Sequence, residues 1–149
     1  NFPGVDVVFV NKMDQYIGKK YKLKTSDNFE DYLKFVDIGL ISRKTAVAVS
    51  PTAVLTSNAD GSYTWTMSTS FRTVTMTFRE GEEFVEERAD GVKVKSLIQF
   101  EDDKMIQTQI EDNGRKSIHV RIFTPETLTV ITTAEGWNGK CTRVYELVK

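Results

Sequence analysis

The chain has 149 residues, with 20 basic against 21 acidic side chains and a formal net charge of -1. That length suits one domain with a real core, and the balanced charge excludes a global field that would recruit nucleic acid or an anionic membrane. A single cysteine, Cys141, excludes an internal disulfide and fits a reducing compartment, and no apolar run is long enough to cross a bilayer.

The sequence begins at Asn1 rather than methionine, so a preceding piece is expected to have been removed or to lie outside it. Residues 1 to 17 read as an extension ahead of the domain. Asn1 to Gln15 shows no helical pattern and is expected to be dispensable, although Phe2, Val8 and Val10 could cover a seam. Val7 to Val10 is too short for a signal peptide and no positive charge precedes it. A cytoplasmic protein is expected, with secretion the alternative if a signal peptide preceded Asn1. Lys19 to Lys24 alternates basic and apolar residues as a half-buried strand does. Asp27 then reads as a helix N-cap, with Glu30 three residues on. Phe29, Tyr32, Leu33 and Val36 follow at helical spacing. After Asp37-Ile38-Gly39, Leu40 to Val49 is a second, more β-branched helix, ended ahead of Pro51.

From Thr52 on, strand-like runs alternate with turns. The turns are Asn58 to Gly61, Ser68 to Ser70, Arg79 to Gly81, Ala89 to Gly91, Glu101 to Asp103, Asp112 to Gly114, Thr124 to Glu126 and Gly136 to Gly139. Tyr63, Trp65 and Met67 share one face, as do Val74, Met76 and Phe78. Consecutive hairpins giving about ten strands predict a mostly β, antiparallel up-and-down barrel with a helical insert near its start. Closure removes sheet edges, and a barrel of this size can hold a ligand.

Two late strands carry the chemistry. In Cys141 to Leu147, Arg143 and Tyr145 share a face, and Arg121 lies in the earlier strand Ser117 to Phe123. If the two strands are near neighbours and these residues turn inward, two guanidinium forks and a phenol converge as a receptor for a carboxylate. The ordinary alternative is two exposed arginines on a solvated face, and from these strands alone it is the commoner case. His119 lies two residues before Arg121, so the two face the same way. Inside, burial and the guanidinium groups would both disfavour a protonated imidazole.

Several stretches together resemble the intracellular lipid-binding protein family, within it the fatty-acid-binding proteins. They are Gly18-Lys19-Lys20-Tyr21-Lys22-Leu23, Ser26 to Tyr32, Ser70-Phe71-Arg72-Thr73, Gly81 to Phe84, Lys93 to Ser96, Val120-Arg121 and Cys141 to Tyr145. The resemblance runs from Gly18 to Lys149 and implies a lipid-binding β-barrel domain over residues 18–149. It implies a ten-stranded lipocalin-like barrel capped by a helix-turn-helix lid, with a long-chain fatty acid inside. Arg121, Arg143 and Tyr145 would bind the carboxylate. Phe29, Leu33, Phe71, Arg72, Met76, Glu86, Asp90 and His119 would line the cavity or its portal. The sequence departs from the family pattern at Tyr21, where a tryptophan is common, and at Val92, where many members carry an arginine. It also departs in the longer stretch before Arg143 and in the amino-terminal extension.

The expected protein is a monomeric, non-enzymatic carrier with no cofactor, metal or nucleic-acid partner. Asp112-Asn113-Gly114 lacks the spaced acidic ligands of a calcium loop, and one histidine with one cysteine offers few nucleophile-base pairs. The rivals are a retinoid or other hydrophobic-ligand carrier, an enzyme, or a membrane-contact module using lipid as filler. Transient membrane contact through Lys34, Arg43, Lys44 and Trp137 is the further expectation. Trp137, between glycines, has no obvious core partner in the sequence, and its alternative is a tryptophan folded back on the barrel rim.

Overall fold

The structure is a computed structural model that describes residues 11–88 and 90–149. A 3-10 helix, Lys12–Tyr16, leads into β1 (Lys20–Asp27), followed by helices α1 (Phe29–Phe35) and α2 (Leu40–Ala48). The remaining strands are β2 (Thr52–Ser57), β3 (Tyr63–Ser68), β4 (Thr73–Phe78), β5 (Phe84–Glu87), β6 (Lys93–Glu101), β7 (Lys104–Ile110), β8 (Lys116–Phe123), β9 (Thr127–Ala134) and β10 (Cys141–Leu147). All ten strands form one sheet in the order β4-β3-β2-β1-β10-β9-β8-β7-β6-β5. Each pairing is antiparallel, and β1 meets β10, so the first and last strands are neighbours. β4 and β5 are the unpaired edges of a nearly closed barrel. Between them lies a cleft of about 410 Å³, bordered by Val74, Met76 and Glu86.

The predicted turns separate the strands as expected, but the beginning of the chain differs from the sequence reading. β1 runs on to Asp27, with a register shift between Leu23 and Thr25 where it pairs with β10. Lys24 is thus the extra residue of a bulge, which bends a strand locally. Asp27 is therefore still in the sheet, and the N-cap of α1 is Asn28, in the left-handed conformation at φ 65° without a side-chain cap bond. Helix entry here is set by the end of a strand rather than by a capping box.

The expected extension also contributes to the core from Met13 onward. Met13 and Tyr16 are buried beneath the barrel with Tyr21, Leu55, Trp65, Phe123 and Leu128. Tyr16 stacks on Phe123 with ring centroids 5.3 Å apart, and its hydroxyl donates to Asp103 at 3.0 Å. Tyr21, in place of the tryptophan, meets Phe123 edge-on and donates to the Thr124 carbonyl at 2.9 Å. A 3-10 turn leaves no periodic apolar stripe, which is why the sequence pattern did not show this plug. The readings of Phe2 and of Val7 to Val10 lie outside the described residues, as does Ala89 of its turn.

Helices α1 and α2 close the opposite end. Tyr32, Leu33, Val36, Ile38 and Cys141 form a second apolar cluster, with Phe29, Phe35 and Trp137 against it. Trp137 has the partners the sequence did not reveal: Tyr32 at 5.7 Å and Phe35 at 6.2 Å between centroids. Gly139 makes this possible, since a Cβ there would lie 2.8 Å from the indole. Arg43 is likewise turned inward. It donates to the Ile38 carbonyl at 3.0 Å and pairs with Glu30 at 3.4 Å, so it ties α2 to α1. Arg115 ties the lid to the barrel: it donates to the Phe35 carbonyl at 3.0 Å, reaches Asp37 at 3.3 Å and pairs with Glu111. Arg88 bridges Asp90 at 2.7 Å and Glu111 at 2.9 Å, so Asp90 is held by a neighbour on its own turn.

Candidate ligand site inside the barrel

Strand register brings the late residues together. Arg121 of β8 and Arg143 of β10 both pair with Val130 of the intervening β9. Three strands in one row put the two arginine Cα atoms roughly 10 Å apart, close enough for long side chains to meet one anion. The next row toward the closed end holds Phe123, Leu128 and Tyr145, and the next row toward the helices holds His119, Thr132 and Cys141. All of these are on the inner face. Arg121, Arg143 and Tyr145 are buried, at 9%, 8% and 2% exposure, against the ordinary expectation for two arginines on a sheet.

A buried cation needs compensation. Arg143 lies over the Phe29 ring at 3.8 Å and Arg121 over the Trp65 ring at 5.2 Å. An aromatic face supplies attraction without an anion. Arg121 Nη1 and Arg143 Nε have no hydrogen-bond partner among the described residues. Burial lowers the Arg121 pKa to about 10, opposed by Glu86 and Tyr145, so it remains a cation at neutral pH. Burial pushes the Tyr145 phenol up, opposed by the two arginines, so it remains a neutral donor.

His119 faces inward with Arg121, as their spacing requires. Its pKa is lowered to about 3, by burial first and by Arg121 second. The residue is half-buried. Its hydrogen bonds settle the tautomer. Glu86 Oε1 accepts from Gln109 Nε2 at 2.7 Å, which turns Gln109 Oε1 toward His119 Nε2 at 2.6 Å. Nε2 is therefore the donor, and Nδ1 accepts from the Thr132 hydroxyl at 2.8 Å. The same carboxylate oxygen of Glu86 accepts from Ser96 at 2.8 Å and Gln107 at 2.9 Å. Ser96, Gln107, Gln109 and Thr132 were not singled out from sequence. Their signal was a polar residue at an inward position of an alternating strand, visible only once the inner face is known.

The remaining predicted residues separate into groups. Phe29 touches Arg143 and Leu33 belongs to the lid cluster. Met76 Sδ on β4 meets Gln107 Nε2 on β7 at 3.6 Å, across the side where the β4 and β5 edges face each other. Phe71 and Arg72 are exposed on the β3–β4 turn, away from the arginine row, with Phe71 87% exposed. Asp90 is in the Arg88 pair, and Val92, at the position where an arginine is common, is exposed. Among the described residues, no group of three or more His, Cys, Asp or Glu could hold a metal ion.

The barrel and the helical lid accord with what known proteins show. Residues 18–146 match the model of the lipocalin / cytosolic fatty-acid binding protein family. The chain belongs to this family. Fatty acid-binding protein homolog 6 of Caenorhabditis elegans is 38% identical, over 89% of this chain and 98% of its own. Cellular retinoic acid-binding protein 1 of Takifugu rubripes is 36% identical, over 84% and 93%. The solved structure of the fatty acid-binding protein from Drosophila melanogaster brain is 40% identical, superposes with a TM-score of 0.81 and covers 88% of this chain and 98% of that one. A lipid-binding member of this family is thus ten antiparallel strands under two helices, as the strand count and the turns predicted.

Proposed function

We propose that this protein binds and carries a long-chain fatty acid inside its barrel, with the ionised head group held by Arg121, Arg143 and Tyr145. The observation that carries this reading is the row Arg121–Val130–Arg143, whose two buried guanidinium groups keep unpartnered N–H donors at one level of the barrel. A carboxylate would accept from both arginines and from the Tyr145 phenol, replacing aromatic contacts by charge-assisted hydrogen bonds. Each methylene transferred from water to the apolar lining contributes about 0.8 kcal/mol. Chain length therefore sets the affinity, and the arginines set orientation and the preference for an acid. Titration with octadecanoate and octadecanol tests this: the acid binds more tightly, and Arg143→Gln removes that advantage. Equal losses for acid and alcohol would make Arg143 purely structural. A retinoid acid would use the same anchor, and competition between retinoate and octadecanoate separates the two ligand classes. Binding is stoichiometric, without turnover of an acyl ester, and the protein works as a cytoplasmic monomer.

Delivery by contact with membranes is supported by the helical end. Leu40, Ile41 and Val47 are exposed on α2, and Phe71 is exposed on the β3–β4 turn, which the antiparallel strand order puts at the same end. Lys34 on α1 and Lys44 on α2 are exposed, Lys44 still pairing with Glu30 at 2.7 Å. Trp137 and Arg43 are engaged within the lid, so the apolar contact moves from the indole to Ile41 and Phe71. Transfer rates that rise with acceptor-vesicle concentration, and fall on Ile41→Asp, are expected. Rates independent of vesicle concentration would mean release through water.

A further inference from the structure

We propose that the barrel takes an acidic lipid that also carries a hydroxyl group along its chain, with Gln107 Oε1 accepting from that hydroxyl. The proposal rests on the reading of Arg121, Arg143 and Tyr145 as the carboxylate anchor and adds a second polar subsite on the same wall. Gln107 is fully buried at 0% exposure, on the inner face of β7 opposite His119. Its Nε2 donates to Glu86 Oε1 at 2.9 Å and to Ser96 Oγ at 3.2 Å. This fixes the amide. A carboxylate oxygen only accepts, and the Ser96 hydroxyl is already donated to Glu86 at 2.8 Å, so both neighbours require the NH₂ end. Turning the amide over would point Oε1 at two acceptors. Oε1 is thereby committed elsewhere, and it has no partner among the described residues.

A buried acceptor without a donor is costly and uncommon. The other buried side-chain nitrogen or oxygen atoms in this position, among the described residues, are Arg121 Nη1 and Arg143 Nε. The three atoms are two cationic donors and one neutral acceptor. Their complement is a ligand with an anionic group and a neutral hydrogen-bond donor. An unsubstituted fatty acid meets only the first requirement. The neighbouring polar groups are already used: Gln109 bridges His119 and Glu86, and His119 bridges Gln109 and Thr132. Gln107 pairs with His119, two residues from Arg121, so Gln107 and Arg121 are diagonal neighbours roughly 7–8 Å apart. The hydroxyl therefore belongs on the chain and not on the carboxyl carbon. Because the subsite is an acceptor, it selects a hydroxyl and rejects an ether or a ketone at the same carbon.

The test is displacement titration of the full chain with octadecanoate, a series of monohydroxy octadecanoates differing in hydroxyl position, and the corresponding methoxy acids. At least one hydroxy acid should bind roughly three- to tenfold more tightly than octadecanoate, the ordinary worth of one neutral hydrogen bond. Its methoxy counterpart should show no gain. Gln107→Met should bring the ratio of hydroxy acid to octadecanoate affinity to one. The proposal is overturned if no hydroxy acid gains, as when water alone serves Oε1, if the methoxy acid gains equally, or if the ratio survives Gln107→Met. Should Gln107→Met fail to fold, the contrast between hydroxy and methoxy acids on the unaltered chain decides. Octadecanol separates the two readings. If octadecanoate binds no better than octadecanol, the carboxylate anchor fails; if it binds better and no hydroxy acid gains, the hydroxyl subsite fails alone.

Discussion

The inner surface of β1 to β4 differs in chemistry from that of β5 to β10, although both alternate with the same period. The first presents Tyr21, Leu23, Ala53, Leu55, Tyr63, Trp65, Met67 and Met76, apart from two phenols an apolar lining. The second adds to its own apolar residues, Ile98, Met105, Phe123 and Leu128 among them, the polar set Glu86, Ser96, Gln107, Gln109, His119 and Thr132, joined by hydrogen bonds, together with Arg121, Arg143 and Tyr145. A hydrocarbon chain needs only a surface that is dry and of about the right shape, because its burial is non-directional. A head group needs donors at fixed positions. The fold confines the positioned groups to one side, where β5 to β10, joined in hairpin sequence, hold them in register.

Trp65 belongs to the apolar wall yet touches the other one, through Phe123 at 6.1 Å and Arg121 at 5.2 Å. Trp65→Ala is the change that would break the comparison most thoroughly. It should cost about 3–5 kcal/mol in chemical denaturation, the usual range for a buried aromatic, and also weaken acid binding by leaving Arg121 without its ring. A loss in stability with the preference for acid over alcohol intact would mean that the walls act independently. On the polar wall the balance reverses. Arg143→Gln should lower octadecanoate affinity by about 1.5–3 kcal/mol, the worth of a charged hydrogen bond. It should leave the melting temperature of the ligand-free protein unchanged or higher, since a buried cation is removed. Glu86→Gln should cost about 1–3 kcal/mol of stability, because an amide there cannot accept from Ser96, Gln107 and Gln109 through one oxygen while keeping its own NH₂ satisfied.

His119 gives a smaller, pH-dependent contrast. Its pKa is lowered in the folded protein from 6.5 to about 3. The unfolded chain therefore takes up a proton near pH 6.5, while the folded chain does not until about pH 3. The stability it contributes is complete above the unfolded value and is lost as pH falls through this window. Thermal melts between pH 7 and pH 4 should show a steeper decline for the native protein than for His119→Gln. A bound carboxylate would raise the proton affinity of His119, so binding in the acidic part of this window should be accompanied by proton uptake. Calorimetry in two buffers of different ionisation enthalpy reads it, and equal apparent enthalpies would argue against the linkage. The smallest effect is expected on the outer surface, where Ile41→Asp should change stability by no more than about 0.5 kcal/mol while altering transfer to vesicles.

Whatever depends on neighbours along the chain was legible in the sequence. The glycine and aspartate turns marked the hairpins, and the period of two placed Arg121 with His119 and Arg143 with Tyr145 on common faces. The helical spacing from Phe29 to Val36 found α1. Period alone could not say which face of β8 and β10 is inside, because each has apolar residues on both. Closure of β1 against β10 decided that, by enclosing the arginine face with Phe29 and Trp65 over the two cations. The Glu86 cluster needed the registers of β5, β6 and β7 together. Trp137 found Tyr32 and Phe35 across a distance in sequence that no local pattern spans. Met13 and Tyr16 became core residues because the barrel's closed end offered Phe123 and Asp103 to them. Local backbone preferences are written in adjacent residues, whereas the compensation of a buried charge is written in residues that only the folded chain makes adjacent.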